Sequence, residues 1–270
     1  MTQSLSQIQD DTLSCPASNG RQYPCKDSST ISDTFSPCPY SKRLIEKLES
    51  LDTQNVLDFS LINKAIDWAK HYHGDQMRKS GEPFYTHPLE VAYKVSDYKL
   101  KTDVIVASIL HDIIEDTEVT AGMIVDHFGW RIAEMVDMLT RDRPDGSKLS
   151  VAEILNNAYL TQDREVLLIK LMDRLHNMQA LGAMPKKKQK KHIRETLDHF
   201  IIFSMDLGLL ECEYELTNLC LSLSGLEVDY TPLKTTLSRR GSYQLLAPDF
   251  QNEINQLYSL SLQAPVSYTH

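Results

Sequence analysis

The chain has 270 residues, of which 41% are hydrophobic and 24% charged, and a formal net charge of −9. That composition is ordinary for a globular protein and supplies ample core for one large domain or two small ones. The acidic balance argues against a nucleic-acid-coating protein, so an anionic substrate would need local cations or a metal.

Five cysteines with no CxxC spacing make neither a zinc module nor a disulfide framework, and reduced thiols are expected. The opening MTQSLSQIQDD lacks a basic and then apolar leader, and no run of eighteen apolar residues occurs. The expectation is a soluble, cytoplasmic chain with no membrane and no nucleic-acid partner.

Residues 1–41 are rich in Ser, Thr, Asp, Gln, Pro and Cys and poor in large apolar side chains, so they are expected to be flexible. Cys15, Cys25 and Cys38 read there as thiols without a role. From Lys42 apolar residues recur every three or four positions, in LINKAIDWAKHYH, VASILHDIIED, RIAEMVDMLT, REVLLIKLMDRLHNMQAL and RETLDHFIIFSMDLGLLECEYELTNLCLSL. Breakers fall between them: SGEP at 80–83, FGW at 128–130, RPDGS at 143–147 and LGAMP at 181–185. The pattern predicts an all-α bundle of about eight to ten helices, one domain over 42–228. Residues 229–270 are polar and broken by Pro232, Gly241, Pro248 and Pro265, a partly disordered tail with one helix near 249–262.

Four stretches place costly residues in apolar surroundings. RKSGEPFYTHPLEVA (78–92) begins with a cationic loop, Arg78-Lys79-Ser80-Gly81, suited to phosphate oxygens or equally to solvent. In the same stretch His87 stands at a helix entrance before Pro88, as a ligand or a packing residue. ASILHDIIEDT (107–117) buries His111, Asp112, Glu115 and Asp116 in one sector of a helix that advances about 100° per residue. Paired buried carboxylates need a cation or a strong hydrogen-bond network; the alternative is a solvated helix end. IKLMDRLHNMQAL (169–181) puts Asp173 and Asn177 four apart on one face, although Asp173 also reads as a surface ion pair with Lys170 or Arg174. The lysine run PKKKQKKH (185–192) reads as a solvated face at the head of a helix, with contact to a phosphate or nucleic acid as the alternative.

Joined, these stretches offer two imidazoles, His87 and His111, and two carboxylates, Asp112 and Asp173. A mixed nitrogen and oxygen set suits manganese, iron or zinc with positions left open for water. Glu115 and Asp116 remain beside it to orient or deprotonate that water, which points to metal-assisted hydrolysis of a phosphate ester or anhydride.

The order His, His-Asp, Asp resembles the HD-domain phosphohydrolases. RKSGEPFYTHPLEVA, LHDIIEDT, FGWRIAEMVDMLT and LIKLMDRLHNMQAL resemble, in order and spacing, the hydrolase domain of the RelA/SpoT-type stringent-response enzymes. RETLDHF and LGLLECEYELTNL resemble the helical connection that follows it. The resemblance covers about residues 55–228 and implies an all-α HD fold, one Mn²⁺, and removal of the 3′-pyrophosphate from guanosine tetra- or pentaphosphate (ppGpp or pppGpp) to leave GDP or GTP.

Carried over, it makes His87, His111, Asp112 and Asp173 the metal ligands and gives Glu115 and Asp116 the attacking water. Asn177 would hold the ribose or phosphate side of the nucleotide, and Arg78, Lys79 and Ser80 the base. Two departures stand out. Gln179-Ala180 replaces the usual Arg-Thr, which removes a hydroxyl from the base site. Met205-Asp206 replaces the His-Arg of long members, and no synthetase sequence is recognisable after 228, so a free-standing hydrolase is expected. The rival readings are an alarmone-binding module without catalysis and a broader HD nucleotide phosphohydrolase acting on 2′- or 3′-phosphorylated nucleotides such as NADPH.

Overall fold

The computed structural model describes residues 38–224. The expected flexible start and the tail with its helix near 249–262 lie outside the described residues, apart from residues 38–41. There the structure differs from the expectation: helix α1 (Pro39–Leu51) already begins at Pro39. Pro39 occupies the first turn, where no N–H is needed, and Cys38 and Ser41 cap each other's backbone amides reciprocally. Leu44 and Leu48, fully buried, fasten α1 to the core.

Helix α2 (Phe59–His73) starts at an Asp58 cap that accepts from the Leu61 amide at 3.0 Å, and α3 (Thr86–Val95) and α4 (Thr102–Leu110) follow. Next come α5 (Ile113–Asp116), α6 (Ala121–Phe128) and α7 (Trp130–Leu139), with Gly129 at φ +89° letting the chain reverse between the last two. Helix α8 (Val151–Leu160) opens on a Ser150/Glu153 capping box, α9 (Arg164–Gln179) on Asp163. Helix α10 (Lys186–Glu195) passes through a π turn at Thr196–Phe200 into α11 (Ile201–Leu207), and α12 (Leu210–Ser224) completes the set. Helices α1 to α12 make up the regular structure of the described residues, where no strand occurs. None of these helices is long and apolar enough to cross a membrane.

Two helices carry the core. In α4 every side chain from Val104 to Leu110 is buried, so it sits centrally, with α2, α3, α7 and α9 packed around it. In α9 the whole stretch Val166–Leu175 is buried, including Lys170, Asp173 and Arg174. Arg174 is held by His192 Nδ1 at 2.9 Å and Glu195 at 3.0 Å and lies over the Phe200 ring, which pins α10 and the π turn to α9. Trp68 of α2 packs edge-on against Tyr72 and Phe128, ring centroids 5.1 and 4.9 Å away, and joins α6 to the centre.

The sequence pattern predicts one helix through 107–117, but the structure breaks it between Leu110 and Ile113. The Ser108 carbonyl, which an unbroken helix reserves for the Asp112 amide, accepts from His111 Nδ1 at 2.8 Å. The next turn starts afresh on the Asp112 carbonyl, which receives the amides of Glu115 and Asp116.

Asp163 does two jobs at the start of α9. It caps the Val166 amide at 3.1 Å, and it takes a forked pair of hydrogen bonds from Arg131 of α7 at 2.7 and 3.0 Å. Asp163→Ala is expected to cost about 1–2 kcal/mol from the cap; a urea unfolding curve with an unchanged midpoint would refute that role.

Candidate metal centre

The break after α4 turns His111 and Asp112 toward the start of α3 and the middle of α9. His87, second residue of α3, places Nε2 3.2 Å from Asp173 Oδ1 and 3.4 Å from Asp112 Oδ2. His111 Nε2 lies 3.1 Å from Asp112 Oδ1 and 3.8 Å from Asp173 Oδ1. His87, His111 and Asp173, all buried, form the tight group, each offering a ligand atom within 4.8 Å of the others. Asp112 reaches both imidazoles, one with each oxygen. Neighbouring ligands of a six-coordinate ion with bonds near 2.1 Å stand about 3 Å apart, so these separations match a common centre.

The donor set fits a divalent cation on independent grounds. His111 Nδ1 donates to the Ser108 carbonyl, which leaves Nε2 as the lone pair, and that buried Nε2 makes no hydrogen bond among the described residues. His87 Nδ1 is 2.7 Å from His176 Nδ1, which also lies 3.2 Å from an Arg78 nitrogen. A guanidinium only donates, so His176 accepts from both, and His87 likewise keeps Nε2 free to face the centre. Lys170 donates to Asp173 Oδ2 at 3.0 Å, and Asn177 donates to Oδ1 at 2.5 Å. Asp173 is therefore a buried partner of Lys170 as well as a member of the group.

Acid concentrates beside the centre. Burial opposes ionisation of Asp112 and Asp173, but the imidazoles and, for Asp173, Lys170 outweigh it and hold both well below the usual carboxylate range. Burial would depress His111, yet Asp112 and Asp173 raise it to about 10. Asp116 is pushed up to about 7 by burial, then by the charges of Asp112 and Glu115. Glu115 is raised by burial and by Asp112, against the Arg141 amide that donates to its Oε1. Burial, then the nearness of His87 and Arg78, lowers His176 to about 3, so it is neutral. Protons and Lys170 thus stand in the place of a cation, and metal binding would displace the protons.

Arg78 reaches the group indirectly, with one nitrogen on His176 and the other 3.1 Å from Asn177 Oδ1. Lys79 and Ser80 sit exposed at the tip of the same turn. Contact with Lys79 lowers the ammonium of Lys188, so the turn adjoins the lysine run of α10. Beyond the candidate residues, three groups take part: Lys170, which the sequence offers only as a surface partner of Asp173, and His176 and the Arg141 amide, which it does not single out. Lys170 and His176 carry a signal, their spacing of three from Asp173 on a helix. The Arg141 amide carries none, because any residue supplies an amide.

The HD-domain family model matches residues 65–210. The guanosine-3′,5′-bis(diphosphate) 3′-pyrophosphohydrolase of Aquifex aeolicus is 35% identical over 175 residues, which is 64% of this chain and 25% of that protein. The GTP pyrophosphokinase rsh of Brucella ovis is 39% identical over 165 residues, 59% of this chain and 22% of that protein. The chain thus spans about a quarter of the length of these curated relatives. A solved structure described as a metazoan ortholog of SpoT that hydrolyzes ppGpp and plays a role in starvation responses aligns with TM-score 0.45 and 20% identity, covering 63% of this chain and 98% of that one. With the matched segment spanning more than half of its length and containing all four converging side chains, the chain belongs to the HD-domain family.

Proposed function

We propose that this chain is a divalent-metal-dependent hydrolase that removes the 3′-pyrophosphate of guanosine 3′,5′-bis(diphosphate), or of the pentaphosphate, to leave GDP or GTP. The observation that carries this reading is the convergence of His87, His111 and Asp173, joined by Asp112, on one point beside two further acids. The name of the Aquifex aeolicus relative supports the choice of substrate.

His87, His111, Asp112 and Asp173 would hold the ion, and their two nitrogens and carboxylate oxygens favour Mn²⁺. Such an ion supplies a Lewis acid that acidifies the attacking water and offsets charge on phosphorus. Lys170 and Asn177 fix the Asp173 carboxylate between them. Glu115, anchored by the Arg141 amide, and Asp116 are stronger bases than free carboxylates because burial and Asp112 raise them, which suits each to take the proton of the attacking water. Arg78, with Lys79 and Ser80 on its turn, supplies donors for the base or a phosphate, and Asn177 borders the same side. Ala180, exposed at the end of α9, brings no hydroxyl to a base. That favours, as a second reading, a hydrolase tolerant of other 3′-phosphorylated nucleotides; equal turnover of guanosine and adenosine substrates in competition would support it over the guanine-specific one.

Purified protein given Mn²⁺ and guanosine tetraphosphate is expected to release pyrophosphate, and a chelator to stop it; binding without release would favour a sensor. Asp112→Ala is expected to abolish metal binding, measured by calorimetry. Glu115→Gln should keep the metal but slow turnover by about a hundredfold or more, and parental turnover in that variant would move the base role to Asp116 alone.

A further inference from the structure

His176 stands three residues beyond Asp173 on α9, outside the group of converging ligand atoms, yet it touches one member of that group, His87. Its Nδ1 receives the His87 Nδ1 proton at 2.7 Å, and the two rings stack with centroids 4.9 Å apart. The same lone pair also accepts from Arg78 at 3.2 Å. Arg78 then reaches Asn177 Oδ1 at 3.1 Å, and Asn177 reaches Asp173 Oδ1 at 2.5 Å. One guanidinium therefore ends two short hydrogen-bonded arms, one leading to His87 and the other to Asp173. Its backbone is fixed as well: the Arg78 amide donates to the Glu82 carbonyl at 2.8 Å and the Arg78 carbonyl accepts from Gly81 at 2.9 Å.

We propose that His176 is a positioning residue that couples metal affinity to nucleotide affinity, by dividing one acceptor lone pair between His87 and Arg78. The inference rests on the reading of this site as a metal-dependent nucleotide hydrolase. While Arg78 shares the lone pair, the hydrogen bond from His87 is weakened. When a nucleotide draws Arg78 onto its own oxygens, the lone pair reverts to His87, whose ring is held more firmly and whose Nε2 becomes a better donor. The metal is then bound more tightly, and by linkage the metal tightens the nucleotide by the same factor. A carboxylate in place of His176 would hold Arg78 as an ion pair and oppose its release; a neutral imidazole gives it up. His87 also depends on this acceptor for its tautomer, since an unpartnered Nδ1 leaves either nitrogen free to carry the proton.

The test uses the full chain carrying Glu115→Gln, so that guanosine tetraphosphate survives the titration. Calorimetry gives the Mn²⁺ dissociation constant with and without that nucleotide, and the nucleotide constant with and without Mn²⁺. In this parent the nucleotide is expected to tighten Mn²⁺ by about fivefold or more, and Mn²⁺ the nucleotide equally. Adding His176→Phe should weaken Mn²⁺ by about 10- to 100-fold and lower the coupling factor. His176→Gln, which keeps an acceptor, should recover part of both. Arg78→Met should weaken the nucleotide and lower the coupling factor while leaving Mn²⁺ bound at least as tightly as in the parent, a result that loss of fold cannot mimic. Parental Mn²⁺ affinity or an intact coupling factor in His176→Phe would overturn the inference alone. Absence of Mn²⁺ binding in the parent would overturn the metal reading itself.

Discussion

A carboxylate taken out of water must find positive charge, and this fold brings Asp112 and Asp173 together at the end of its most apolar helix. The neighbours Glu115 and Asp116 worsen the imbalance, as the rise of Asp116 to about 7 records. Lys170 answers part of it, by a buried contact with one oxygen of Asp173. The remainder falls on two imidazoles whose other nitrogens are already committed, His111 to a carbonyl and His87 to His176. Each turns its Nε2 to the same spot, between two carboxylates, an arrangement well suited to bind a cation.

The helices around this point serve to hold its members still. Helix α4 is buried on every side, so the break at its end is placed by the core and not by solvent. Helix α9 carries Lys170, Asp173, His176 and Asn177 on successive turns, and its start is anchored by Arg131 of α7 while Arg174 ties its middle to α10. Ligands, their supports and the residues that would meet the nucleotide are thereby mounted on rigid elements, which is what precise positioning of a reacting group requires.

Much of this was legible in the sequence because helical spacing and unexpected polarity are both visible in one dimension. His111-Asp112 within an apolar run, and Asp173 with Asn177 four later, marked the places where a core face could not be ordinary. The break after Leu110 was not legible, since it arises from competition for one carbonyl between a ring nitrogen and a main-chain amide. The start of α1 was hidden for a different reason: a cap made by Cys38 and Ser41 leaves little trace in composition. The spacing of Lys170 and Asp173 suits a surface ion pair; only packing shows that the pair is buried. The Arg141 amide at Glu115 belongs to the backbone and carries no side-chain signature at all.

The two loops that border the centre are built alike. In each an arginine amide donates to the carbonyl four residues on, and its own carbonyl accepts from a glycine three residues on: Arg78 with Glu82 and Gly81, Arg143 with Ser147 and Gly146. Both glycines take left-handed angles, φ +92° and +83°. One loop delivers a cationic side chain, the other lies beside the amide that steadies an acid, and each is locked at its base by its own backbone. Evolution can therefore lengthen, shorten or recharge either tip while the stem stays put, so that which nucleotide is grasped and how the bond is broken are free to change one without the other.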